Sequence, residues 1–349
     1  MRTRNTDRIE RVLITGANGF IGSNLCRYFL DHSYEVYGLV RRTSDLHFLE
    51  GLPVTLVYSD LSVPDPLELP TGVDYVIHAA SLVRDTASME EARRNTYDTT
   101  RNLLGQLGKR NVALKRFVYI STALVLGHRS TSISEENRGR PARGVQPYVK
   151  AKVLTEALLV QEFREHGLPV VILRPTDVYG PNDRTSSLRV LRGIDDGWPT
   201  IVGSGNRIFS FCSVDNLARA CHLACQMRGS NGAAYTVTNG QDITWRQLMG
   251  FFQTRLGRRQ RLYVPLIAAY IIALAMQLLH VIIPSVPRRV SFYPVSKVGR
   301  DTSYDISRTR RELGYQPEQD FERQLESTVH WYRGEKSSGR IESMRRRQE

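Results

Sequence analysis

Residues 11–22 read Arg-Val-Leu-Ile-Thr-Gly-Ala-Asn-Gly-Phe-Ile-Gly. Val12 to Ile14 form a short apolar run that reads as a buried strand, ending at Thr15. Three glycines then follow at intervals of three: Gly16, Gly19 and Gly22. Beyond them Phe20, Ile21, Leu25, Tyr28, Phe29 and Leu30 make an amphipathic helical pattern. Strand, glycine turn and helix together are the setting that a dinucleotide-binding loop requires. Glycine permits the tight turn, lets the backbone approach a pyrophosphate, and lets helix pack on strand. Amides exposed at the helix N-terminus then hold the anion. The competing account is a purely structural glycine turn, so the loop needs support from elsewhere in the chain.

Working outward, residues 9–175 alternate strand and helix patterns. The strand candidates are Val12–Ile14, Glu35–Val40, Val54–Tyr58, Tyr75–Ile77, Phe117–Ile120 and Val170–Leu173. Such alternation predicts an α/β fold, a Rossmann-type doubly wound parallel sheet with helices on both faces. After Pro175 loops, glycines and short elements dominate. Residues 176–205 and 241–333 therefore read as a smaller C-terminal substrate-binding region, with 206–240 returning to the dinucleotide-binding domain. The polar, charged stretch 334–349 is expected to be disordered.

Hydrophobic residues make up 41% and charged residues 24% of the 349, ordinary for a globular protein. Cys26, Cys212, Cys221 and Cys225 form no Cys-x-x-Cys pair; they read as small apolar side chains in a reducing compartment, not as metal ligands. The net charge of +13 is concentrated in Arg2, Arg4, Arg8 and Arg11, in Arg345 to Arg347, and in Arg255, Arg258, Arg259 and Arg261. No nucleic-acid recognition motif accompanies it, so an anionic cofactor or an anionic membrane surface accounts for it better. The early arginines precede no signal-peptide core, which predicts a cytoplasmic protein.

Residues 264–283 stand apart: twenty residues without formal charge beyond His280, preceded by Arg255 to Arg261 and followed by Arg288 and Arg289. The length suffices for a bilayer span. Three readings stay open: a buried helix, a helix dipping into one leaflet, and a full span. The leaflet reading is preferred, because a span would separate the segment that follows from the rest of its domain.

The second motif is Tyr148-Val-Lys-Ala-Lys152. Tyr148 and Lys152 at i, i+4 share a helix face. A free tyrosine titrates near 10, too high for a base at neutral pH, and a neighbouring ammonium, together with the positive nicotinamide of an oxidised cofactor, is expected to lower it. The third element is Phe117-Val-Tyr-Ile-Ser121-Thr122, an apolar strand delivering two hydroxyls at the end where α/β sheets bind ligands.

With all three in place, residues 11–333 resemble an extended short-chain dehydrogenase/reductase, and within that superfamily the 3β-hydroxysteroid dehydrogenase, dihydroflavonol reductase and nucleotide-sugar epimerase group. The Gly-x-x-Gly-x-x-Gly spacing is a mark of that family. The resemblance implies that Tyr148 is the acid/base, Lys152 its modulator and a holder of the cofactor ribose, and Thr122 the catalytic hydroxyl, with Ser121 the weaker choice. It implies cofactor contacts from Gly16, Asn18, Gly19, Phe20, Ile21 and Gly22; from Asp60 and Leu61 after the third strand; and from Ala79 and Ala80 after the fourth. Pro175 and Val178 match the loop beside the nicotinamide. Asn95 matches an asparagine opening the helix after the fourth strand, where a plain N-cap is the alternative. Arg41 and Arg42 follow Val40, which stands where NAD-preferring relatives carry an acid. Arginine suits a 2′-phosphate, so NADP(H) is the expected cofactor, with NAD(H) the alternative and no metal.

The implied reaction is hydride transfer between nicotinamide and a secondary alcohol or ketone. Ala123 and Leu124 occupy the place of the dehydratases' Asp-Glu pair, which argues against dehydration. The apolar 264–283 segment favours a lipophilic, steroid- or sterol-like substrate and peripheral membrane contact. A nucleotide-sugar epimerase or reductase, with Arg207 serving a diphosphate, and a non-catalytic NADP(H)-binding protein are the alternatives; a homodimer is expected by analogy alone.

Overall fold

The computed structural model describes residues 8–341 except 64–68, 82–86, 111–113, 142–145, 199–200, 230–231, 259–262, 283–294 and 296–297. Its centre is a seven-stranded parallel sheet. The strands are β1 (Arg11–Thr15), β2 (Glu35–Val40), β3 (Thr55–Tyr58), β4 (Tyr75–His78), β5 (Arg116–Ile120), β6 (Val170–Pro175) and, later in the chain, β10 (Ala233–Val237). Their order across the sheet is β10-β6-β5-β4-β1-β2-β3. Every pairing is parallel. The middle strands β1, β4, β5 and β6 are buried almost throughout, as helices covering both faces require.

Helix α1 (Phe20–Asp31) and helix α6 (Val214–Gln226) cover one face. Leu25, Cys26 and Phe29 meet Leu217, Cys221 and Cys225 there in one apolar core. All four cysteines are free and buried. Helices α2 (Met89–Arg93), α3 (Thr99–Arg110) and α4 (Gln146–His166) belong to the connections of the opposite face. Leu103, Leu107 and Leu159 pack there against Leu13, Val76 and Phe117. The strand order reverses between β1 and β4, and the crevice at that switch point is where ligands of such sheets bind.

Strand β7 (Asp177–Tyr179) leaves the main sheet and pairs with β9 (Ile208–Ser213), which pairs in turn with β11 (Asp242–Thr244). A second core lies beneath them, built from α5 (Ser186–Asp195), α7 (Trp245–Arg255) and a C-terminal helix, Phe321–Ser337. The stretch 206–240 thus divides: β9 joins the small sheet, whereas α6 and β10 join the large one.

Two expectations change here. Residues 334–341, expected to be disordered, continue the C-terminal helix and its cap. Glu335 and Ile341 are buried, and Lys336 donates to Asp195 at 2.6 Å beside the Tyr332 hydroxyl. A polar sequence is ordered because Lys336 finds Asp195 on α5 while Glu335 and Arg340 meet His47; residues 342–349 lie outside the described residues. The apolar segment forms a short pairing of β8 (Ile201–Val202) with β12 (Tyr263–Val264), followed by helix α8 (Leu266–Ile282). No helix among the described residues is long and apolar enough to cross a membrane. Nor is α8 simply buried: Ala269 and Ala273 pack inward, while Ile267 and Ile271 are 75% and 62% exposed.

Candidate functional site

A cleft of about 750 Å³ runs across the C-terminal ends of β1, β2, β4 and β5. It brings together Gly16, Asn18, Gly19, Phe20, Ile21, Gly22, Arg41, Asp60, Leu61, Ala79, Ala80, Asn95, Thr122, Tyr148, Lys152, Pro175 and Val178. Arg207 is elsewhere. It pairs with Asp301 at 3.2 Å on the surface, so the residue considered for a diphosphate does not line the cleft.

The glycine turn is fixed by close approach. Gly16 has φ +64°, and a Cβ on it would sit 3.0 Å from the Cα of Ala80. A Cβ on Gly22 would lie 2.1 Å from the carbonyl oxygen of Gly16, so no other residue fits without moving the turn. Gly19 is the N-cap of α1 and has no side chain to cap it. The contrast with α5 is plain. There Asp183 accepts from the amides of Thr185, Ser186 and Ser187 at 2.9, 3.1 and 2.7 Å, which occupies that helix's N-terminus. Of these two helices at the cleft, α1 is the one whose first amides no side chain accepts from, and its positive end fits a pyrophosphate.

Beneath the turn is a polar lock that motif reading missed. Thr15 Oγ1 accepts from the Ala80 amide at 3.1 Å and meets His78 Nδ1 at 2.7 Å. Thr100 gives its hydroxyl proton to the Thr96 carbonyl at 2.7 Å and lies 3.0 Å from His78 Nε2. The Thr100 oxygen must therefore accept from Nε2–H, and the Thr15 hydroxyl donates to a bare Nδ1. Burial, then repulsion from Lys152, pulls His78 down to about 3, in keeping with this neutral tautomer.

Asn95 corrects its expectation. Ser88 caps α2, accepting from the Glu91 amide, and the helix continues through a π-helical turn, Arg94–Asp98, into α3. Asn95 sits in that turn and donates to the Glu91 carbonyl at 2.9 Å. It neither opens nor caps a helix; the wider turn places it on the cleft, a common use of such turns. Asp60 shows its turn role as well, accepting from the Ser62 amide at 2.9 Å and hydroxyl at 2.7 Å. At the end of β2, Arg42 lies over the Tyr58 ring, leaving Arg41 on the cleft wall.

Two consecutive hydroxyls, Ser121 and Thr122, follow the end of β5 at the cleft. Ser121 lines the cleft as well, but its hydroxyl is taken up by buried Glu156, to which it donates at 2.5 Å. Thr122 lies near the Tyr148 hydroxyl and also accepts from the Leu124 amide at 3.3 Å. Lys152, 2% exposed, donates to the Ile120 carbonyl at 2.7 Å and lies 5.9 Å from the Tyr148 ring centre. Burial draws Lys152 down to about 7 against the pull of Glu156. For Tyr148, burial raises it well above its ordinary value, Thr122 opposes the rise and Asp177 adds to it. Lys152, aimed at a backbone carbonyl, does not overcome that penalty.

The far wall went unread in the sequence. Val190, Phe211, Trp245, Leu248, Phe252 and Val298 give the cleft an apolar end. Trp245, Leu248 and Phe252, at i, i+3 and i+7 of α7, were the available signal.

The sequence profile of the NAD dependent epimerase/dehydratase family matches residues 12–238, more than half of the chain. The chain belongs to that family. Among this family member's relatives are a 4-hydroxy-2-methyl-3-oxo-4-farnesyl-3,4-dihydroquinoline-1-oxide ketoreductase of Stigmatella aurantiaca, 26% identical over 87% of this chain and 91% of its own, and sterol demethylase protein B of Methylococcus capsulatus, 29% identical over 87% and 93%. The fold is shared with the UDP-glucuronic acid 4-epimerase of Bacillus cereus, solved in complex with NAD: TM-score 0.74, 22% identity, 93% of this chain and 99% of that one.

Proposed function

We propose that this epimerase/dehydratase family member is an NADP(H)-dependent oxidoreductase that interconverts a lipophilic secondary alcohol and its ketone. The observation that carries the reading is the meeting of Tyr148, Thr122 and Lys152 between a glycine turn and an apolar wall. The cradle formed by Gly16, Gly19 and Gly22, the α1 N-terminus without a side-chain cap, and Arg41 fits a dinucleotide with a 2′-phosphate. When bound, the nicotinamide supplies or accepts the hydride.

The chain's own residues supply the rest. Thr122 orients the substrate oxygen, and Tyr148 moves the proton to or from it. In reduction the Tyr148 phenol gives its proton to the carbonyl oxygen; in oxidation the phenolate takes it back. Lys152 lies behind Tyr148 as the nearby cation that favours the phenolate left by that transfer. The apolar wall excludes water and favours a lipophilic substrate over a sugar diphosphate. Two relatives act, by their names, on a farnesylated quinoline and a sterol, which supports the same reading. The exposed face of α8, with Ile267, Ile271 and Leu274, supports contact with a membrane leaflet from which such substrates come.

The test is a turnover panel of steroid ketones, alkyl ketones and UDP-sugars with NADPH and NADH. Turnover of apolar ketones, at least tenfold faster with NADPH, is expected (about 1.4 kcal/mol of discrimination). Turnover of UDP-sugars alone would favour the epimerase reading.

A further inference from the structure

Glu156 lies one helical turn beyond Lys152 on α4, and no motif in the sequence singled it out. Its carboxylate is buried and fully engaged. Oε1 accepts from Ser121 Oγ at 2.5 Å and from Arg174 Nε at 3.0 Å, and Oε2 accepts from Arg174 Nη2 at 2.6 Å. Arg174 is buried on β6 and gives its remaining arm to Glu135 at 2.8 Å. The fork geometry and the burial of both partners make this a strong, rigid pair.

The pair touches the catalytic constellation at two points. Through Ser121 it pins the chain just beyond β5 to α4 and engages the Ser121 hydroxyl, which leaves Thr122 as the hydroxyl near Tyr148. Through space it is a carboxylate one helical turn from Lys152, whose ammonium is otherwise held by the Ile120 carbonyl at 2.7 Å and faced by groups without a negative charge. Those groups are neutral His78 from β4, the Tyr119 ring from β5 at 4.6 Å and Tyr148 from its own helix, with Asp177 of β7 beside Tyr148. Arg174 partly offsets the Glu156 charge from the far side.

We propose that Glu156 is a positioning residue: it selects Thr122 over Ser121 as the hydroxyl beside Tyr148 and holds Lys152 in its charged, working state. This inference rests on the assignment of Tyr148 as the proton donor. A structural role alone would affect stability without touching the pH profile. The proposal instead ties two distinct signatures to two substitutions.

The experiment uses the full chain, a ketone that the wild type reduces, and four proteins: wild type, Tyr148→Phe, Glu156→Gln and Ser121→Ala. Glu156→Gln is expected to lower kcat on the order of tenfold with KM little changed. It should also move the high-pH fall in kcat to lower pH, because Lys152 then loses its proton more easily. Ser121→Ala keeps the Glu156–Arg174 pair, so it should fold; it is expected to lower kcat with the pH profile unmoved. Should Glu156→Gln fail to fold, Ser121→Ala decides. Wild-type kcat and pH profile in the folded variants, with only the melting temperature reduced, would overturn the proposal. A wild type without turnover, or a fully active Tyr148→Phe, overturns the assignment beneath it and the proposal as well.

Discussion

The two ends of the cleft are built by different means. The nucleotide end is made of backbone: Gly16 and Gly22 are required because any side chain would strike a neighbour's main chain. The substrate end is made of side chains gathered from β9, α5, α7 and Val298. Backbone walls are strict and local, whereas side-chain walls are tolerant and long-range. Substitutions at the first should therefore abolish a function, and those at the second should retune it.

The largest expected effect is at Gly22. A Cβ placed 2.1 Å from the Gly16 oxygen forces the turn apart, so Gly22→Ala should destabilise the fold by about 3 kcal/mol or more and abolish dinucleotide binding. Thermal unfolding and cofactor titration read both. Retention of wild-type affinity would remove the distinction between the two ends.

A smaller, pH-dependent effect tests the lock beneath the turn. His78 titrates near 3 in the fold and near 6.5 when unfolded, so the unfolded chain takes up the proton first as pH falls. Its contribution is fully present above about 6.5 and is lost as pH drops toward 3, with a slope of up to about 1.4 kcal/mol per pH unit. His222, also lowered by burial, adds to the same window. Urea unfolding of His78→Gln beside the wild type separates the two: the variant should lack the His78 part of the slope.

The smallest effect belongs to the apolar end. Trp245→Ala should raise KM for an apolar ketone on the order of tenfold while leaving NADPH affinity unchanged. A matching loss of cofactor affinity would mean that the two walls are not separable.

The same difference explains what the sequence revealed. Parallel strands buried on both faces appear as continuous apolar runs, so β1 to β6 were legible nearly residue by residue. The glycine turn was legible because its constraint lies within one short stretch. Asn95 was misplaced because a π-helical turn leaves no periodicity signal strong enough to mark it. Phe211, Trp245 and Val298 were missed because only tertiary packing brings them together. The tail at 334–341 reads as disordered in sequence because its order comes from contacts with Asp195 and His47, both distant in the chain.

The most direct measurement follows the hydride and the proton together. Wild type and Tyr148→Phe are incubated with an apolar ketone and NADPH deuterated at the transferable position of nicotinamide C4, and the product alcohol is examined by mass spectrometry. The account predicts deuterium on the carbinol carbon in the wild type and a rate at least about a hundredfold lower in Tyr148→Phe. No deuterium in any ketone product, or equal transfer by both proteins, would contradict it.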